Sequence, residues 1–572
     1  MSNTIDVLIV GAGPTGLLLG SILAGSGCSV RIIDKLQTPL RISKASGIMP
    51  RSLEVFQMLG IAERFVDAGN KIEDLSLYGP KGRLLRMSFE QLDTPFQFLL
   101  GLEQYRTEEI LSDRVRELGV AVERGRELIA FEQDDNGVWA TVGGDSESTE
   151  TVECRFIVGC DGAHSTVRHT LGLPFEGSQD HDHYIVGYLT IDWAIPTTEM
   201  FELSSAKGTI FGIPLPEGRW AVAGEYDPQQ WRHAEDETPD MEEVQALFVE
   251  RSPFPARVSD PRWISYFRVN HRQVSQYQVG RAFLVGDAAH IHSPVGGQGM
   301  NTGLQDAANL GWKLAYVLQG RARRSLLESY HAERHPVGRS VVHVTSFLQA
   351  ELNLRSKIAM AVRDEMSQLV GHSARIKNLA SRQLGEIAYH YRRSPAVSEW
   401  DSDGSHSHAE ARREELSECP GFSSGPHAGD RAPDGSVVSK ADGGDARFQQ
   451  LYDIFGSGTH TLLVFEGTHG VRGREADSRD RLFAEVRTIT KTFPALLRPF
   501  VIRSHGGEDE VDSLVAQDEV GLLHHRYGAR GECLYLIRPD GYVAFRSTPV
   551  DFTKLREFLD RIGFASTAGV SE

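Results

Sequence analysis

The chain has 572 residues, a formal net charge of −18 and a sequence pI near 5.6, which argues against a nucleic-acid or anionic-membrane partner. A hydrophobic content of 40% and a charged content of 24% are those of ordinary globular protein, and the length predicts about three or four domains. Cys28, Cys154, Cys160, Cys419 and Cys533 are scattered without a C-x-x-C pair, so no disulfide framework is expected and a reducing, cytoplasmic setting fits.

The first residues have no basic region ahead of the apolar run, and a glycine loop interrupts that run, so a secretory signal is not expected. No uninterrupted apolar stretch is long enough to span a bilayer. IDVLIV, residues 5–10, reads as a parallel strand buried on both faces. Gly11-Ala12-Gly13-Pro14-Thr15-Gly16 follows, then a helical stretch, then a second strand ending at Asp34. In such a unit Gly11 permits the tight turn, Gly13 lets the backbone approach a pyrophosphate, and Gly16 lets helix and strand pack closely. The helix start offers free N–H groups to the phosphates, and Asp34 can accept ribose hydroxyls. The pattern predicts a dinucleotide site without separating FAD from NAD.

FIVGCDGAHSTVR, residues 156–168, repeats the theme: strand, Asp161-Gly162 turn, and a helix start carrying Arg168. Residues 176–275 alternate apolar and polar types between Pro/Gly turns and predict an antiparallel sheet. RAFLVG, residues 281–286, is another buried strand, ending in Gly286-Asp287. Next come Pro294-Val-Gly296-Gly-Gln-Gly299-Met300-Asn301 and a helix through roughly Gln319. A flat ring fits against so bare a backbone, and a helix N-terminus stabilises an anion by about 0.3–2 kcal/mol. A reduced flavin, anionic along its N1–C2=O edge, suits the loop.

Residues 320–400 read as helical with a break at Pro336, and Glu333-Arg334 as an exposed ion pair. Residues 401–427 read as a linker, and residues 428–572 as a separate domain with a hairpin at Pro539-Asp540-Gly541. His290-x-His292 suggests no metal, because no third ligand accompanies it. Trp193-Ala-Ile-Pro196 only half-matches the flavin halogenase signature, and no G-x-S-x-G elbow supports hydrolysis.

Taken together and in this order, the three glycine motifs resemble those of the FAD-dependent aromatic hydroxylases, single-component flavoprotein monooxygenases related to p-hydroxybenzoate hydroxylase. The resemblance covers about residues 1–400. It implies an α/β fold: an FAD-binding Rossmann-like (βαβ) domain with an inserted antiparallel-sheet substrate domain. The FAD-binding parts would be residues 1–175 and 276–400, with the substrate sheet at 176–275. The order of elements in the tail resembles the thioredoxin-like domain of the larger members. Cys533 stands alone there, so a structural or subunit-contact role is expected, consistent with a homodimer.

The resemblance also implies roles. Gly11, Gly13, Pro14, Thr15, Gly16, Asp34 and Lys35 would hold the ADP half of FAD. Asp161 and Arg168 would serve FAD and incoming NADPH or NADH. Gly286 and Asp287 would bind the ribityl chain, and Pro294, Gly296, Gly299, Met300 and Asn301 would cradle the ring. Two further segments match the family: one bears Arg41 and Arg51, the other Gln104. They imply phosphate contact or ring movement for the arginines and an FAD contact for Gln104. Pro294, Gly296 and Arg41 would line the reacting side, and Phe211, Ile213, Trp220 and Tyr226 are candidate walls for an aromatic substrate. The implied reaction is hydroxylation of a phenolic or polycyclic aromatic by O2 through a C4a-hydroperoxide of the flavin. Baeyer–Villiger or epoxidising chemistry, or a non-catalytic flavin-binding partner, are the alternatives on the same scaffold.

Overall fold

The computed structural model describes residues 4–41, 45–144, 148–226, 238–291, 297–352, 373–402, 422–439, 447–456, 458–468, 476–504 and 514–566. Pro294, Gly296 and His292 lie outside them.

The apolar run Ile5–Val10 is the central strand of a parallel sheet, with Val7, Leu8 and Ile9 fully buried. Val30–Asp34 pairs on one side and Glu150–Gly159 on the other, both parallel. Ala282–Leu284 extends the second side and Val122–Arg124 the first, also in parallel. The strand order therefore reverses at Ile5–Val10, and at such a switch point the carboxyl ends of neighbouring strands leave a crevice for a ligand. Those ends carry the Gly11, Cys160 and Gly286 turns.

The helix Pro14–Gly25 packs over this sheet, and the helix Gly299–Leu318 packs over Pro14–Gly25. Gly311 allows the approach, since a Cβ there would stand 2.7 Å from the Ile22 side chain. From Met300 to Tyr316 the second helix is buried throughout. The helix Glu328–Leu352 runs through Pro336 without a break, contrary to the sequence expectation. Tyr330, Val337 and Val341 bury one side of it, and Gln273 hydrogen-bonds the His335 carbonyl next to the proline. Tertiary packing here outweighs the lost N–H.

Residues 176–275 do form a sheet, which differs in two ways from the antiparallel one that alternation predicts. It is mixed, because Glu199–Ser205 pairs parallel with Asp74–Gly79. It also recruits the hairpin Asp74–Gly79/Gly82–Ser88 from outside 176–275. Local alternation fixed the strands, but pairing across more than a hundred residues leaves no local signal.

In the tail, His460–Phe465 pairs parallel with Leu497–Arg503 and antiparallel with Cys533–Ile537, which forms a hairpin with Val543–Thr548. Gly541, at φ +75°, turns that hairpin. Helices Ala476–Thr492 and Phe552–Ile562 complete the unit. Ser398–Asp401, read from sequence as the end of the preceding domain at 400 and the first linker residue, adds a parallel strand to this sheet. No helix among the described residues is long and apolar enough to cross a membrane.

Candidate functional site

The crevice is built by backbone that approaches too closely for side chains. A Cβ on Gly11 would stand 2.3 Å from the Cys160 carbonyl oxygen, and one on Gly16 would stand 2.0 Å from the Gly11 oxygen. A Cβ on Gly286, which has φ +61°, would lie 3.0 Å from Thr15 Oγ1, and one on Gly303 would lie 2.7 Å from the same atom. The three glycine-rich segments thus meet at the head of the first helix. At Gly13 the opposite holds: nothing lies within 4 Å of the Cβ position. Gly13 caps a helix whose N-terminus has no side-chain cap, leaving a positive dipole end facing that open space.

Asp34 closes one side. Its Oδ2 accepts the Ala12 N–H at 2.8 Å, its Oδ1 accepts the Leu36 N–H at 2.8 Å, and Arg124 approaches at 3.3 Å. Lys35 beside it is exposed. Gln104 opens the helix Gln104–Glu117, and its amide donates to Glu108 at 2.9 Å. Burial pushes the Glu108 carboxyl up, opposed by the Gln104 hydrogen bond and by Arg124, the arginine that also reaches Asp34.

Asp161 and Arg168 are engaged within the protein. Asp161 Oδ2 accepts the Thr166 and Val167 N–H groups at 2.7 and 3.2 Å, and burial raises its carboxyl. Its Oδ1 has no hydrogen-bond partner among the described residues. The Arg168 guanidinium donates to the Ala163 and Ala288 carbonyls and lies over the Phe175 ring, tying the Asp-Gly turn to the Gly-Asp turn. Asp287 is exposed in that second turn, and Arg41 is exposed at the margin of the described residues.

The described part of the expected ring cradle is the start of the helix Gly299–Leu318. Thr302 N–H is bonded to the Gln298 carbonyl, so the N–H groups of Gly299, Met300 and Asn301 are those the helix itself leaves unpaired. The Asn301 side chain accepts from Met49 N–H and Ser52 Oγ and donates to the Gly47 and Gly297 carbonyls, all within 2.8–3.0 Å. It staples the helix start to the Gly47–Met49 segment. One turn on, buried Asp306 accepts from Gly286 N–H at 3.1 Å, His290 Nε2 at 2.7 Å and Arg334 Nε at 2.6 Å. Burial alone would raise this carboxyl; Arg334 and His290 hold it below its ordinary range. Asp306 escaped the sequence reading. Its signal was a polar stripe, Gln305, Asp306, Asn309 and Lys313, in an otherwise apolar helix.

Four expectations are corrected. Ile213 touches the cradle, within 3.3 Å of a Cβ built on Gly47, and Phe211 lies two residues away on the same face with Tyr184, Val186 and Phe267. Trp220 and Tyr226 lie on the opposite face. Trp220 pairs with Pro214 rather than with Ile213, and it packs against Trp193, Phe201 and the helix Met241–Arg251. Tyr226 packs on Tyr266, which bonds Glu243 of that helix. Strand alternation separates the two pairs. Arg51 is buried against the tail, bonded to Glu54, Tyr452 and the Asp540 carbonyl, and so is unavailable for phosphate or ring movement. Glu333 and Arg334 are fully buried rather than exposed. A cavity of about 320 Å³, lined by Ile22, Met58, Trp312, Tyr316, Thr459 and Pro539, lies toward the far end of the helix Gly299–Leu318 and is separate from the cradle.

The open phosphate position, the acidic corner and the unpaired helix N–H groups fit a flavin dinucleotide and define a flavin-binding oxidoreductase. A family model described as the FAD binding domain matches residues 4–345. The chain is 38% identical over 369 residues, 64% of it and 75% of the relative, to a rifampicin monooxygenase of Streptomyces venezuelae. It is 30% identical over 550 residues, 95% of it and 93% of the relative, to pentachlorophenol 4-monooxygenase of Sphingobium chlorophenolicum. A solved ternary complex of aklavinone-11 hydroxylase with FAD and aklavinone matches 98% of the chain and 99% of its own at TM-score 0.74 and 25% identity. The chain belongs to the FAD-binding family of the FAD-dependent aromatic hydroxylases and is a flavoprotein monooxygenase.

Gly13→Glu fills the open position with a negative side chain and is expected to abolish FAD binding, measured by quenching of flavin fluorescence; full FAD occupancy in the variant would contradict the phosphate assignment. A second prediction concerns buried Glu386, whose Oε2 accepts from Gln305 while Oε1 has no partner among the described residues. Burial raises this carboxyl to about 8, with Asp306 adding and Arg334 opposing. The folded chain keeps a proton that the unfolded chain releases, so this group costs stability as pH rises from the ordinary carboxylate range through about 8. Glu386→Gln is expected to unfold at higher temperature than wild type, with the gap widening from about pH 5 to about pH 9. A gap independent of pH would show that Glu386 is not protonated in the fold.

Proposed function

We propose that the protein hydroxylates a phenolic or polycyclic aromatic compound at the expense of NADPH or NADH and O2. The balance is one NAD(P)H, one proton, one O2 and one aromatic C–H giving NAD(P)+, water and one phenolic C–OH. Bound FAD supplies hydride acceptance and oxygen activation. The observation that carries the reading is the wall opposite the cradle, where Tyr184, Val186, Phe211, Ala223 and Phe267 form one apolar cluster next to Ile213. Such a face suits an apolar ring system and excludes water from the reacting atoms.

The chain's own groups have distinct tasks. Thr15 and Gly16 N–H groups receive the pyrophosphate at Gly13, and Asp34 takes the ribose hydroxyls. Asp287 binds the ribityl chain. The Met300 and Asn301 N–H groups stabilise negative charge on the flavin's N1–C2=O edge. Phe211 and Ile213 orient the substrate, with Pro294, Gly296 and Arg41 on the reacting side. The central strand order of the tail's eight-stranded sheet, Val543–Thr548, Cys533–Ile537, His460–Phe465, Leu497–Arg503, with Cys533–Ile537 antiparallel to both neighbours and helices flanking, supports a thioredoxin-like unit. Cys533 in it is buried, and burial raises its thiol well above the ordinary range, which supports a structural or dimer-forming role over redox chemistry.

Consumption of NADPH and of NADH by the FAD-loaded protein, with a panel of phenols and polycyclic aromatics, tests this reading. At least one compound is expected to accelerate consumption and yield a product with one added oxygen atom. Release of peroxide alone with every compound, or no acceleration by any, would overturn it.

A further inference from the structure

Glu333 sits in the interior between the flavin-edge helix and the tail. Its carboxylate accepts from Arg538 twice, at 2.7 and 2.9 Å, from Lys313 at 2.7 Å, from Asn309 at 2.6 Å and from Ser394 at 2.6 Å. Asp540 closes the group by accepting from Arg538 at 2.9 and 2.5 Å and from Asn309 at 3.4 Å. All these side chains are buried. Asn309 and Lys313 belong to the helix whose N-terminus forms the ring cradle, whereas Arg538 and Asp540 belong to the tail's hairpin turn. The same turn reaches a second part of the site. The Asp540 carbonyl accepts from Arg51, on the helix Pro50–Met58 that begins beside Met49, and Met49 N–H is bonded to Asn301. Arg431 of the tail adds a bidentate pair to Glu54 of that helix.

We propose that the tail is a positioning element of the flavin site and that Arg538 is its positioning residue. Gly303 and Gly311 seat the cradle helix against Thr15 and Ile22 with no room for a Cβ. Asn309 and Lys313 anchor another face of the same helix, at spacings of three and four from Asp306 and from each other. The tail thereby fixes the rotation and the axial position of a helix whose free N–H groups must meet the flavin edge. Two cations and two carboxylates neutralise one another in the network. Removing the Arg538 guanidinium leaves Glu333 and Asp540 with Lys313 as their remaining cation in the group, and the helix loses its charged anchor on the tail while Trp312 and Tyr316 keep their contacts with His460. The inference rests on flavin binding and not on the identity of any substrate.

The test compares Arg538→Met, Arg538→Lys and Val464→Ala in the full chain. Val464 is fully buried in the tail's sheet, in the apolar cluster that also holds Trp312 and Tyr316, and is no member of the network, so its variant reports what a loss of tail packing that spares the network does. FAD affinity, the midpoint potential of bound flavin and unfolding temperature without FAD are read for each. Arg538→Met is expected to weaken FAD about tenfold and to shift the potential negative, as the N–H groups lose alignment with the reduced ring. Arg538→Lys is expected to recover part of both, and Val464→Ala to keep wild-type affinity and potential despite its own loss of stability. Unchanged affinity and potential in Arg538→Met, or an equal weakening by Val464→Ala, would overturn the proposal. Should Arg538→Met fail to fold, Asp540→Asn is measured by the same criteria.

Discussion

Three chain segments meet at the head of the first helix with no space for a side chain between them. Gly11 lies against the Cys160 carbonyl, Gly16 against Gly11, and Gly286 and Gly303 against Thr15. Everything else in the site depends on that approach. It brings the carboxyl ends of three parallel strands to one crevice and leaves the space ahead of Gly13 open. It also sets the start of the helix Gly299–Leu318 over the same opening. Each helix N-terminus is worth only about 0.3–2 kcal/mol to an anion, so neither alone makes a tight site. Two held in fixed relation act together, with Asp34 at the end of the strand on the far side.

Buried charge is the second constraint, and it acts on position rather than chemistry. Asp306 joins the Gly286 turn, His290 and Arg334, while Glu333 joins Lys313 and Arg538. Removing one partner of such a pair costs about 3–5 kcal/mol, far more than the median surface ion pair at about 0–1 kcal/mol. Burial pulls the Lys313 ammonium down to about 8, against the opposing pull of Glu333, so the network is charged near neutrality but close to its limit. These pairs give the cradle helix a defined register against both its neighbours.

The parts legible in the sequence were those whose signal is local. Gly11, Gly13 and Gly16 declare a backbone that must approach something, and the hairpin at Pro539-Asp540-Gly541 is written in its turn residues. The parts that were not legible depend on distant partners. Arg51 read as a candidate for phosphate contact or ring movement because Tyr452 and Asp540, which bury it, lie about four hundred residues or more further on. Glu333 and Arg334 read as a surface pair for the same reason. Alternation showed that Phe211 and Ile213 share a face, but it took the pairing of Pro214 with Trp220 to send the tryptophan to the other side. Pro336 reads as a break locally and is overruled by packing.

On the proposed reading, the glycine crevice, the start of the helix Gly299–Leu318 and the apolar wall would serve nucleotide, ring and substrate in turn, with the tail anchoring that helix from behind. In the proposed reaction one atom of molecular oxygen is delivered to an aromatic ring. The most direct measurement is turnover of an accepted aromatic under isotopically heavy oxygen gas in ordinary water, with the product analysed by mass. Incorporation of one heavy oxygen atom per molecule of product is the expected result. A product whose new oxygen comes from water would contradict it.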